Sequence, residues 1–111
     1  MLVLVMVFAC ASSAFAGVAT HTKSSSVNPF AHKFTLTYDS YMSGSTKCVR
    51  NCSNPTVALL LYASGVKSWT APTKKVALID SNRTYEFSDS VSWITTSGVA
   101  MKSNAYVDFT Y

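Results

Sequence analysis

From residue 32 onward the chain alternates. In KFTLTYDSY, Phe34, Leu36 and Tyr38 occupy every second position, with Thr35, Thr37 and Asp39 between them. That period of two marks a strand with one buried and one wet face. The pattern returns in RTYEFSD, where Tyr85 and Phe87 alternate with Thr84, Glu86 and Ser88. It returns in SVSWITT, with Val91, Trp93 and Thr95 on one side, and in AYVDFTY, where Asp108 shares an outward face with Tyr106 and Thr110. KVALID and GVAMK read as shorter strands. TVALLLYASG differs: it is a continuous apolar run ending at Gly65, which predicts a central strand covered on both faces. The helix propensity of residues 58–61 makes a short helix the competing reading. Ser43-Gly44-Ser45, Ser81-Asn82, Ser97-Gly98 and Ser103-Asn104 punctuate these runs as turns.

About seven short strands, turn signals roughly every 8–12 residues and no amphipathic helix predict an all-β fold. The expected architecture is a small antiparallel β-sandwich, immunoglobulin-like in its layering, with a small barrel as the competitor. The Cys…Trp…Cys spacing of true immunoglobulin domains is absent.

The first 31 residues stand apart from this pattern. Residues 1–16 hold an apolar run over 2–9 and the small-x-small site Ala14-Phe15-Ala16, which predicts a secretory signal peptide cleaved after Ala16. No Lys or Arg precedes the run, so the start is atypical. Val7-Phe8-Ala9-Cys10 gives a competing reading, a lipid anchor at Cys10, although Phe8 fits a lipobox poorly. Residues 17–31, GVATHTKSSSVNPFA, are small and polar without a period and predict a flexible arm. Asn28-Pro29 then turns the chain into the β-sandwich domain over 32–111.

With 111 residues the chain has room for one domain. Nine Lys/Arg against five Asp/Glu leave it at +4. Such a charge favours contact with anionic membrane, cell-wall or glycan surfaces. The basic residues are scattered and no helix lines them up, so nucleic acid is not an expected partner.

Cys48 and Cys52, in KCVRNCSNPT, raise the first chemical question. In an exported protein the expected reading is a disulfide that staples a small polar loop. Such a bridge removes little chain entropy and acts by shaping the turn. Free thiols are the main alternative. A metal site would need His21 and His32 as further ligands, at a spacing that is no finger pattern. A thioredoxin-like site would need Cys-x-x-Cys at a helix start. No metal or cofactor is expected.

Catalysis finds little support. His32 with Asp39 and a nearby serine is the only Ser-His-Asp combination in outline, and no Gly-x-Ser-x-Gly elbow is present. Asp39, Asp80, Glu86, Asp89 and Asp108 read as solvated strand or turn residues. Asn51-Cys52-Ser53 and Asn82-Arg83-Thr84 match the glycosylation pattern. Trp93 reads as core. Trp69 lies in a polar connection with Lys67, Lys74 and Lys75 nearby. It reads either as a contact residue or as a cap folded over the sandwich edge.

The expected function is a secreted, non-enzymatic protein binding an extracellular protein, glycan or anionic surface, with Arg50, Lys67, Trp69, Lys74 and Lys75 as binding residues. The alternative is a secreted antimicrobial or toxin-like protein acting on cell envelopes. The closing strand AYVDFTY, if it lies at an edge, is expected to mediate self-association.

Overall fold

The computed structural model describes residues 17–111. The expected signal peptide and the expected anchor at Cys10 fall outside the described residues. Those described are all-β and contain no helix. Seven strands run β1 Gly17–Val27, β2 Phe30–Ser43, β3 Thr46–Leu61, β4 Val66–Trp69, β5 Thr73–Ile79, β6 Thr84–Thr95 and β7 Ala100–Thr110. They form two antiparallel sheets. One has the order β1-β2-β3; in the other, β6 pairs with β7 along one side and with β5 and β4 along the other.

The count of seven matches expectation, but several boundaries do not. Residues 17–27 are not an arm. They pair with β2 without a break, from Gly17 opposite Ser40 to Val27 opposite Phe30. Two threonine pairs bridge the strands, Thr20–Thr37 at 2.7 Å and Thr22–Thr35 at 3.2 Å. Such cross-strand pairs stabilise a sheet without any apolar period. RTYEFSD and SVSWITT fuse into β6, and the expected turn at Ser103-Asn104 lies inside β7. Both fusions follow from one unbroken ladder between β6 and β7, from Thr84 opposite Thr110 to Ile94 opposite Ala100.

The alternating strands put their apolar faces together as their pattern requires. Phe34, Leu36 and Tyr38 of β2 meet Tyr85 and Phe87 of β6 and Ala105, Val107 and Phe109 of β7. Phe34 and Phe87 pack edge to face at 5.0 Å, and Tyr38 does so with Tyr85 and Phe109. The Tyr38 hydroxyl donates to the Thr110 carbonyl at 2.7 Å, and burial raises the pKa of its phenol. Tyr85 is also pushed up by burial, against the opposing effect of the Cys52 N–H that its oxygen accepts.

The apolar run of β3 is not a central strand. β3 lies at the edge of its sheet, with Val57, Leu59 and Leu61 half-buried and Leu60 67% exposed. A run of aliphatic residues does not record whether a second sheet covers its outer face. Here none does.

Candidate functional site

The KCVRNCSNPT segment lies within β3 rather than in a stapled loop. Between Ser53 and Thr56 β3 takes three steps where β2 takes two, and it does so again between Arg50 and Ser53. Each is a β-bulge, with Asn51 (φ 56°) and Asn54 (φ 51°) in the left-handed region. Asparagine tolerates that backbone better than most residues. The expected disulfide is corrected: Cys48 and Cys52 are free thiols, the first buried and the second exposed. An extended strand carries residues four apart to roughly 13 Å, beyond the ~7 Å between Cα atoms that a disulfide tolerates.

His32 and Asp89 are not solvated residues either. His32 projects from β2 between the sheets and is fully buried. Its Nδ1 lies 2.8 Å from Asp89 Oδ2 of β6, and its Nε2 lies 3.1 Å from Ser103 Oγ of β7. Ser103 in turn donates to the Val27 carbonyl of β1 at 3.2 Å. Four strands from both sheets are tied by this line. A Ser-His-Asp alignment therefore exists, but with Asp89 in place of the expected Asp39. In a working triad the serine proton goes to the histidine. Here it is committed to Val27, which leaves Ser103 Oγ as an acceptor. Ser103 is 1% exposed, so no substrate reaches it in this conformation. The arrangement suits a polar cross-tie. Paired in this way, three buried polar side chains offset part of the cost of leaving water, with Asp89 Oδ1 finding no partner among the described residues.

Asp39 serves elsewhere. Arg50 Nε donates to its Oδ2 at 2.7 Å, and the guanidinium lies over the Tyr41 ring at 4.2 Å. Arg50 and Trp69 do not share one end of the sandwich. Asp39, the partner of Arg50, and Phe30, which contacts Trp69, are nine residues apart on β2, roughly 30 Å.

The Phe30 end holds an apolar cleft. Trp69, Trp93 and Met101 stand side by side on the inner face of β4, β6 and β7 because they are paired in register. Beyond Phe30 the opposing sheet stops covering them. Phe30 packs against Trp69 at 5.3 Å and Trp93 at 6.4 Å between ring centres. Trp69 nonetheless remains 46% exposed and Met101 44%. The cleft encloses about 560 Å³; Ser68, Ser92 and Lys102 also border it, but strand alternation turns their side chains to the opposite face of the sheet. Trp93 Nε1 is buried and finds no acceptor among the described residues.

Of the expected binding residues, only Trp69 lines this cleft. It combines both readings, packed on Phe30 yet open to solvent. Lys67 is exposed on β4, and Lys75 is exposed on β5. Lys74, also on β5, donates to the Pro55 carbonyl at 3.1 Å. Trp93 and Met101 were not legible as site residues, because their exposure depends on where the other sheet ends. Among the described residues no three His, Cys, Asp or Glu side chains gather to hold a metal. No protein-family model, curated protein or solved structure matches this chain.

Proposed function

We propose that this chain is a secreted, non-enzymatic binding protein that takes an extracellular glycan into the Phe30–Trp69–Trp93–Met101 cleft. The carrying observation is the register-matched pair Trp69–Trp93 lining an open, mainly apolar cleft. A pocket that is mainly apolar with a few placed polar groups is the usual form of a small-ligand site. Flat indole faces suit the apolar face of a sugar ring. Export rests on the apolar leader and Ala14-Phe15-Ala16. The two-layer architecture would then be used as immunoglobulin-like sandwiches use theirs, with the ligand met at one end.

The chain has two tryptophans and both line the cleft, so indole emission reports on this site alone. Titration with an oligosaccharide panel should shift that emission saturably, and Trp69→Ala should abolish both the shift and retention on the immobilised sugar. Retention that survives Trp69→Ala would move binding away from the cleft. Growth inhibition of neighbouring cells without sugar binding would favour the antimicrobial alternative.

The Ser103–His32–Asp89 distances support a second reading, a serine hydrolase opened by movement of Phe30. A fluorophosphonate probe separates the two. We expect no adduct at Ser103, and a stoichiometric adduct there would replace the binding reading with the catalytic one.

A further inference from the structure

The five boundary strands of the two sheets, β1, β3, β4, β5 and β7, are protected very unequally. On β1, Lys23 points inward, lies over the Phe109 ring at 5.7 Å and donates to the Asp108 carbonyl. That bond sets the β1 edge beside β7, which carries Lys102 and Asp108. β5 opens with Lys74-Lys75. Inward lysines and edge charges are the usual guards against strand addition. Residues 56–61 of β3 carry none of them, and Lys74 of β5 reaches this edge only at the Pro55 carbonyl. Residues 51–66 contain no charged side chain, in a chain of net charge +4.

The groups presented by this edge can be identified. The Tyr62 N–H donates to the Pro29 carbonyl at 3.1 Å, so residue 62 faces β2. By strand alternation Thr56, Ala58 and Leu60 face β2 as well, and Val57, Leu59 and Leu61 face away. Lys74 meeting the Pro55 carbonyl agrees with this parity. Among the described residues no strand pairs with that side of residues 56–61. Three N–H groups and three carbonyls are therefore presented in a regular row. Leu60 and Tyr62 stand beside it on the outer face, 67% and 52% exposed.

We infer that a second copy of this chain adds to this edge, with β3 pairing antiparallel to β3 about a twofold axis at Leu59. Symmetry restricts the register. A twofold axis perpendicular to the sheet keeps inner faces together, so odd residues must oppose odd ones. Centring on Leu59 sets Leu59 against its own counterpart and Val57 against Leu61. All three N–H groups and all three carbonyls of each copy are then bonded. On the outer face Leu60 covers Ala58, and Tyr62 covers Thr56. The absence of charge decides for a second copy: in a basic molecule this is the one long edge that can meet itself without opposing lysines. It also moves the expected self-association from β7 to β3. The inference is independent of the glycan cleft.

The test uses the purified native protein in sedimentation experiments over a wide concentration range, together with amide hydrogen exchange. A monomer–dimer equilibrium is expected. Amides of Val57, Leu59 and Leu61 should gain protection as concentration rises, while those of Ala58, Leu60 and Tyr62 stay protected throughout. Ala58→Lys with Leu60→Lys changes only exposed outer-face positions and puts like charges opposite each other, weakening the dimer by at least about tenfold. Mixing that double variant with Ala58→Glu/Leu60→Glu should restore association as a mixed dimer. A chain monomeric at every concentration overturns the inference. So does a dimer whose Val57, Leu59 and Leu61 amides exchange freely.

Discussion

The two ends of the inner face are built from the same kinds of residue and end in opposite conditions. At one end Tyr38, Tyr85 and Phe109 are closed between the sheets, none more than 5% exposed. At the other, Trp69, Trp93 and Met101 line an open cleft above Phe30. Aromatic content therefore does not separate core from site. What separates them is whether the facing sheet continues. β2 supplies cover only as far as Phe30, where it turns back through Asn28-Pro29 into β1, while β6 and β7 run on past that point. The buried His32–Asp89–Ser103 line sits between the two conditions, with Ser103 opposite Val91, one inward-facing pair from Met101 and Trp93.

Substitutions along this face should separate its two ends. Phe34→Ala empties the fully buried centre and should cost about 3–5 kcal/mol, read as a fall in the denaturation midpoint with the slope unchanged. Asp89→Ala strips His32 of its carboxylate inside the protein and should cost about 3 kcal/mol; a loss near zero would show that the line is not a cross-tie. Tyr38→Phe removes the bond to the Thr110 carbonyl and should cost about 1 kcal/mol. It should also blunt alkaline unfolding. A phenol whose pKa is raised by folding stabilises fully below the unfolded pKa, and that contribution is lost as pH climbs from about 10 through the folded value. Trp69→Ala, at the open end, should change stability least, by about 1 kcal/mol or less, while removing binding. A large loss of stability there would make Trp69 a core residue and erase the contrast.

Much of this was legible in sequence where the signal was local. The alternation of Phe34, Leu36 and Tyr38, of Tyr85 and Phe87, and of Asp108 with Tyr106 placed each residue on its correct face. The arm that became β1 escaped because its partner pattern is a pair of threonines on another strand, Thr35 and Thr37. The cysteine segment escaped because two bulges let an Asn- and Pro-rich stretch continue a strand. The partners of His32 lie 57 and 71 residues away, beyond any local pattern.

The sequence by itself determined the period of the strands, the inner face of each, the positive charge and the apolar run over residues 2–9. These depend on a residue and its near neighbours, through backbone geometry and the cost of wetting apolar side chains. Only the tertiary structure decided which apolar run is an edge, which aromatics stay open and which acid meets His32. Those outcomes depend on where one sheet ends over the other, a relation between segments distant in the chain.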